Sequence, residues 1–196
     1  MDNLKELVDS LNLETNLTTN DIPKVDLYMD QVIQLFENKY YDTLRNYEEK
    51  ILTKTMINNY AKGKLFFPIV NKKYSKSHLI LISLIYQLKG ALSINDIKTT
   101  LDNINASLLK GELQELDEIY NSFLNLNKKN TESFKKDLDE KEKFLEEEIN
   151  GLHEDIHNID KILMICSLIS TSNMYRKLAE KLVDEIGETS LDKKHK

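Results

Sequence analysis

Apolar residues recur with a seven-residue period in the second half of the chain, and this spacing constrains the fold more than any other sequence feature. The period runs from Leu138 to Cys166 in steps of three and four residues, with Glu142 at one position. Such steps keep apolar side chains on one stripe of an α-helix, the pattern of a coiled-coil seam. We therefore predict a long helix that carries the seam of a coiled coil or of a helical bundle. The predicted seam residues, which are the candidates for dimerisation, are Leu138, Leu145, Ile149, Leu152, Ile156, Ile159 and Leu163.

The composition also favours α-helices. Two prolines and five glycines among 196 residues are few for a β-sandwich or barrel. One cysteine excludes an intrachain disulfide, as suits a reducing compartment. The longest apolar runs, at 79–88 and 162–166, are shorter than the roughly 20 residues that cross a membrane. We expect a mainly α, cytoplasmic protein without a signal peptide or membrane contact.

Apolar spacing predicts five elements in the middle of the chain. A helix over about 24–40 precedes a short helix over 54–62, capped by Thr53 and ended by Gly63. Residues 64–74 contain two short apolar runs around Pro68, which predict a small hairpin or wing. Two more helices follow: one is apolar nearly all round and begins after Ser75, and the next begins at the capping box Ser93–Asp96.

Three further helices are predicted after residue 110. The first covers about 113–124, and the polar run 125–130 is expected to interrupt it. Thr131 is expected to cap the second, which carries the seven-residue period. A final helix over about 173–186 is expected to end at Gly187. We divide the chain into an N-terminal arm (1–20), a middle domain (21–108) and a helical dimerisation or sensing half (109–196).

The middle of the chain carries an uncompensated positive charge. Residues 50–95 contain eight lysines and no Asp or Glu, although the whole chain has a formal net charge of −6. Carboxylates repel the phosphates of DNA, so a DNA-binding surface is expected to contain few of them. The helix over 54–62 also places Thr, Asn and Lys side chains on one face and apolar side chains on the other.

These features predict a helix-turn-helix that reads double-stranded DNA. Asn side chains pair with adenine in the major groove, and Lys and Thr side chains contact phosphates or base edges. We expect a sequence-specific transcriptional regulator, a repressor rather than an activator. The predicted DNA-contact residues are Thr53, Lys54, Thr55, Asn58, Asn59, Tyr60, Lys62, Lys64, Lys72, Lys73 and Tyr74.

The same residues resemble the winged-helix DNA-binding domain of MerR-type bacterial regulators. Tyr60, Leu65, Pro68 and Tyr74 occur in that family's order, and LSINDIK follows at 92–98. The stretches DIPKVDLYMDQV and ILTKTMINNYAKGKL look closer still to an uncharacterised branch, a domain of unknown function in Gram-positive bacteria. The resemblance implies a MerR-like winged helix-turn-helix followed by a long dimerisation helix. The family's metal-binding cysteines are absent, so it implies no metal effector.

Other motifs support no catalytic or metal site. The stretch HEDIH at 153–157 matches the zinc-protease pattern of His153, Glu154 and His157, but no third ligand is evident, and we interpret it as a chance match. Cys166 is expected to be a buried structural thiol. We predict no enzyme, metal or cofactor. The alternative to DNA binding is a helical adaptor whose coiled coil binds other proteins.

Overall fold

The fold is a cluster of short helices from which a long helical hairpin extends. It is described from a computed structural model covering residues 4–150, 152 and 156–192, with only the backbone of 190–192. The prediction of a mainly α protein is confirmed. The elements are α1 (Leu4–Ser10), β1 (Leu27–Tyr28), α2 (Met29–Tyr40), α3 (Lys54–Lys62), β2 (Lys73–Tyr74), α4 (Lys76–Leu88), α5 (Ile94–Lys110), α6 (Leu116–Asn150) and α7 (Ile159–Asp192).

The core is built around α4, as its continuous apolar sequence predicts. Every residue from His78 to Ser83 is buried, and this segment forms one core cluster with residues of α2, α3, α5 and the start of α6. A helix that is apolar on all sides is stable only when neighbours cover it on all sides. None of the described helices is both long enough and apolar enough to span a bilayer.

Residues predicted to lie outside the middle domain also belong to this core. Leu17 is fully buried; its backbone N–H donates to the Tyr40 hydroxyl at 3.0 Å, and its carbonyl accepts from the Tyr120 hydroxyl at 2.5 Å. Burial raises the pKa of Tyr120, so this donor stays protonated. The core therefore reaches from Leu17 into the first turns of α6.

The first predicted helix begins later than expected. Residues Leu27–Tyr28 form β1, which pairs antiparallel with β2, and α2 starts at Met29 rather than near residue 24. Tyr28 is extended, and its backbone N–H donates to Gln31 Oε1 at 2.9 Å. This bond satisfies a donor that the first helical turn leaves free.

The predicted break at residues 125–130 is wrong, because α6 continues through it. Asparagine is a mediocre helix former, but neither proline nor glycine interrupts this run. The Asn127 side chain donates to Asn16 Oδ1 at 3.2 Å, which secures the helix to the N-terminal segment. Thr131 is no N-cap: it is buried within α6, where its hydroxyl donates to the Asn127 carbonyl at 3.1 Å.

The predicted continuous seam is also wrong, because the chain reverses within it. Helix α6 ends at Asn150, and α7 begins at Ile159 and packs back along α6. Leu152 and Ile156 lie in the connection and are exposed. Each helix keeps its own apolar stripe, so the seven-residue spacing persists across a reversal that the pattern cannot reveal. Leu138, Leu145 and Ile149 lie on α6, and Ile159 and Leu163 lie on α7.

The last helix is much longer than the predicted 173–186. It begins at Ile159, and Gly187 lies inside it rather than at its end. Glycine costs only about 1 kcal/mol in a helix interior relative to alanine. A β-carbon at Gly187 would lie 3.7 Å from Thr99 Cγ2 of α5, so the helix passes close to its neighbour there.

Candidate nucleic-acid interface

The polar residues of α3 form one outward face. Ile57 and Tyr60 are buried on the inner side of the helix. The exposed side chains are spaced at three and four residues, as one face of a helix requires. This outer face consists of Lys54, Thr55, Asn58, Asn59 and Lys62.

Both ends of α3 are fixed by local hydrogen bonds. The Thr53 hydroxyl accepts from the backbone N–H of Met56 at 3.1 Å, which confirms the predicted N-cap. At the other end, the N–H of Gly63 donates to the Asn59 carbonyl at 2.8 Å, and that of Leu65 donates to the Tyr60 carbonyl at 3.0 Å. These bonds hold the outer face in a fixed orientation.

The left-handed residue after α3 is Lys64 and not a glycine. Lys64 has φ +56, while Gly63 is right-handed with φ −70. The chain turns outward at this point, so Lys64 is exposed beside the end of α3. A left-handed conformation is strained for lysine. It nevertheless places a positive charge next to the outer face of α3.

The predicted small hairpin is reduced to a tight turn closed by a single bridge between Val70 and Lys73, because β2 pairs with β1; we call this turn the hairpin. It runs from Val70 to Lys73, whose backbone N–H donates to the Val70 carbonyl at 2.9 Å. Asn71 and Lys72 have φ values of +52 and +59, as in a type I′ turn. Both are exposed, so the hairpin tip presents one amide and one ammonium group.

The hairpin and α3 meet at the start of α2. The β1–β2 ladder pairs Tyr28 with Lys73, and the Lys73 ammonium lies 5.3 Å from the centre of the Tyr28 ring. The Lys54 ammonium lies 2.7 Å from the carboxylate of Asp30, which is in the first turn of α2. The base of the hairpin and the first turn of α3 are therefore neighbours on one side of the molecule.

The lysines of the acid-free segment fall into two groups. Lys54 and Lys76 form ion pairs with carboxylates of α2 and α6, Asp30 and Asp117 respectively. Lys89 donates to the Ile51 carbonyl at 3.2 Å, and burial lowers its pKa. No ion pair within the described chain involves the second group, which consists of Lys50, Lys62, Lys64, Lys72 and Lys73. All of these except Lys50 lie either on the outer face of α3 or between Lys64 and Lys73.

Two predicted DNA-contact residues are not on this surface. Tyr60 and Tyr74 are 4% and 1% exposed and belong to the core cluster. Their rings fill space between elements, so they support the surface from beneath instead of touching a ligand. The other nine predicted residues are exposed or partly exposed.

His78 is a supporting residue that the sequence analysis missed. Its Nδ1 accepts from the backbone N–H of Ser75 at 3.1 Å, and its Nε2 donates to the Phe67 carbonyl at 3.1 Å. The ring is buried against the Phe67 ring, with centroids 3.9 Å apart. One neutral imidazole thus caps α4 and holds the hairpin segment. The spacing Ser75–His78 matches a capping box with His in place of Glu, the signal that could have revealed it.

Acidification should therefore destabilise the fold through His78. Burial lowers its pKa below the ordinary 6.5, and the opposing attraction of Asp26 does not restore it. Between the two pKa values the unfolded chain binds more protons, so the free energy of unfolding falls as pH drops below about 6.5. Urea unfolding at pH 7.5 and 5.5 measures this loss. A His78→Gln variant should show a smaller loss between these pH values, and an unchanged loss would contradict the assignment.

The remaining sequence motifs contribute nothing to this surface. His153 and Glu154 of the HEDIH stretch lie outside the residues that the structure describes, and His157 follows them in a turn. Within the described residues no group of three His, Cys, Asp or Glu side chains is placed to hold a metal ion. The expectation for Cys166 is wrong: its side chain is exposed on α7, since the apolar stripe that it extends is not covered there.

Comparison with known proteins places the chain in a family. Residues 17–123 match the family described as Domain of unknown function (DUF1836). This match covers more than half of the chain. The chain belongs to the DUF1836 family. The matched span begins at the fully buried Leu17 and ends just after Tyr120, the two residues whose hydrogen bond joins the N-terminal segment to α6.

The expected membership of the MerR-type regulators is wrong. The family that matches is DUF1836, and no curated protein and no solved structure matches the chain. The motifs behind the resemblance are short and have local structural causes here, such as the caps at Ser75 and Ser93. In addition, residues 41–53 separate α2 from α3, whereas a helix-turn-helix has a turn of about three or four residues.

Proposed function

We propose that this DUF1836 protein binds double-stranded DNA through the outer face of α3, with the hairpin as a wing against the phosphate backbone. The observation that carries the proposal is the division of α3 into a buried apolar side and an exposed side of Asn, Thr and Lys. In this arrangement α3 is the helix that enters the groove, and α2 packs against it.

The dimensions and chemistry of α3 suit a major groove. The groove is about 12 Å wide and admits one α-helix. Asn58 and Asn59 carry the amide groups that pair with the N6 and N7 edge of adenine, and Thr55 and Lys62 lie beside them on the outer face. Each good contact to a base edge contributes about 1–3 kcal/mol of discrimination.

The lysines around α3 suit the phosphate backbone. Lys64 follows the helix, and Lys72 and Lys73 lie at the tip and base of the hairpin. No carboxylate in residues 50–95 opposes them, although Asp30 pairs with Lys54 at the edge of the surface. Phosphate contacts of this kind set the orientation of a protein on the duplex, and base contacts add specificity.

We further propose that two copies act together as a sequence-specific transcriptional regulator. Two copies related by a two-fold axis would present two α3 helices to a palindromic site. Occupying such a site near a promoter blocks access to it, so repression is the expected outcome. A DNA-binding domain with a helical dimerisation half requires no cofactor for this action.

Salt dependence provides the direct test. With about six phosphate contacts per dimer, affinity for a specific fragment should fall roughly a thousandfold between 50 and 200 mM salt. Fluorescence anisotropy with labelled fragments from upstream of the protein's own gene measures this slope. An absence of salt-sensitive binding to any of these fragments, with folded protein confirmed by circular dichroism, would overturn the proposal.

A second candidate function is that of a helical adaptor that binds other proteins. It is favoured by the long hairpin, which exposes apolar side chains along α7. In an adaptor the outer face of α3 has no DNA to contact, so replacing Asn58, Asn59 and Lys62 would leave its partners unchanged. If the protein binds DNA through α3, the same replacement should weaken DNA binding.

A further inference from the structure

Helix α5 can cover at most half of the length of α7. Helix α7 has 34 residues and α5 has 17, so at 1.5 Å per residue α5 is about half as long. The covered half is C-terminal, where Val183 is buried and Gly187 passes close to Thr99 of α5. The N-terminal half of α7 extends beyond α5.

The N-terminal half packs on α6 with one side only. Leu168 and Thr171 line a groove with Phe134 of α6, and Met164 is buried nearby. The opposite side carries Ile162, Ile165 and Ile169 at spacings of three and four residues. These three isoleucines are 47%, 59% and 58% exposed.

The stripe of isoleucines lies on the same side of α7 as a buried residue further along the helix. Seven-residue steps from Ile162 lead through Ile169 and Arg176 to the buried Val183. The same side of the helix is therefore covered by α5 at one end and open at the other. A side of a helix with this pattern is stable when another helix packs against it.

The open segment is also free of charge. Residues 162–175 contain no Asp, Glu, Lys, Arg or His, whereas charged residues are frequent before and after them. A second helix of the same sequence can cross here without placing like charges opposite one another.

We propose that the N-terminal half of α7, through Ile162, Ile165 and Ile169, packs against the same segment of a second copy of this chain. A two-fold axis makes such an interface self-complementary, because each stripe meets an identical stripe. This surface replaces the predicted seam, which the reversal between α6 and α7 divides. The proposal rests on the homodimer of the proposed function and is independent of DNA binding.

The exposed area is close to what a dimer needs. Phe144, Leu152 and Ile156 add exposed apolar surface at the same end of the α6–α7 helix pair. Together with the three isoleucines they expose on the order of 600 Å², compared with the roughly 800 Å² that each partner contributes to a standard-size interface. Flanking polar side chains at the rim supply the remaining area.

The oligomeric state of a charged variant tests this surface. The unaltered chain should elute as a dimer in size-exclusion chromatography with light scattering, measured without DNA. Ile165→Glu with Ile169→Glu should weaken self-association about a hundredfold or more, because four carboxylates would be buried without partners. The matched control is Leu109→Glu with Leu126→Glu, which alters two equally exposed apolar residues elsewhere and should stay dimeric.

Cross-linking through Cys166 tests the same surface without relying on those variants. Cys166 is the sole cysteine of the chain and is exposed on α7 between Ile165 and Ile169. A short bismaleimide should join two chains through Cys166 in high yield. The control chain carries Cys166→Ser and Ser122→Cys, which moves the thiol to the other end of the α6–α7 helix pair. It should not form cross-linked dimers.

The outcomes separate this proposal from the proposed function. A monomeric unaltered chain, a dimer that survives Ile165→Glu with Ile169→Glu, or a dimer without Cys166 cross-links would each overturn the α7 interface. Salt-sensitive DNA binding could persist in all three cases, through another interface or by a monomer. Conversely, a Cys166-linked dimer that binds no DNA supports the interface and removes the DNA proposal.

Discussion

Replacing Tyr60 with alanine is expected to lower the free energy of unfolding by about 3–5 kcal/mol, the usual cost of removing a large buried aromatic ring. Tyr60 is 4% exposed and packs in the core at the back of α3. The cavity left by its ring would lie directly beneath the outer face of the helix. Urea unfolding at pH 7.5 measures the change.

The matched control is Tyr60→Phe, which keeps the ring and removes only the hydroxyl. Burial raises the pKa of Tyr60, so the hydroxyl is neutral and carries no charge whose loss would matter. This variant should unfold within about 1 kcal/mol of the unaltered chain, since no buried partner is left unpaired. DNA binding should also be retained. A Tyr60→Phe variant that folds normally but binds DNA far more weakly would show that the hydroxyl contacts the ligand after all.

Local signals in the sequence predicted α3 and its surroundings well. The cap at Thr53, the end at Gly63 and the alternation of apolar and polar positions are all set by residues within one or two turns. The start of α4 after Ser75 and the capping box at Ser93 have the same local origin. The acid-free composition of residues 50–95 indicates the same region as the candidate surface.

Contacts between distant residues could not be predicted in this way. The bonds of Leu17 to Tyr40 and Tyr120 join residues 23 and 103 positions apart, and the segment around Leu17 has the polar composition of a linker. The same applies to α6, where the Asn127–Asn16 bond lies in a run of poor helix formers. Short-range propensity carries no information about either partner.

The reversal of the helical half was hidden for a different reason. A seven-residue pattern records only which side of a helix is apolar, and both α6 and α7 turn apolar residues toward each other. The pattern therefore predicts helices and packing but not whether one chain or two supplies the partner. Ile165, Ile169 and Cys166 are exposed, so no other part of the described chain covers this side of α7.

Simultaneous replacement of Asn58, Asn59 and Lys62 with alanine has the largest expected effect on function. All three side chains are exposed on α3, and none has a hydrogen bond or ion pair within the described chain. With about 1–3 kcal/mol for each good base contact, specific affinity should fall at least a hundredfold. Fluorescence anisotropy on the best-bound upstream fragment measures the loss. Stability should change little, because alanine is a better helix former than asparagine.

The control for this variant is Asn125→Ala, Lys129→Ala and Asn130→Ala. It removes two Asn side chains and one Lys side chain, as the α3 variant does, from exposed positions on α6, with the same change in net charge. A non-specific effect of charge on DNA affinity would appear equally in both triple variants. Only a contact made by α3 separates them, so equal affinities would assign any DNA binding to another surface. The α3 variant should also remain dimeric, because the isoleucine stripe of α7 lies on a different part of the chain.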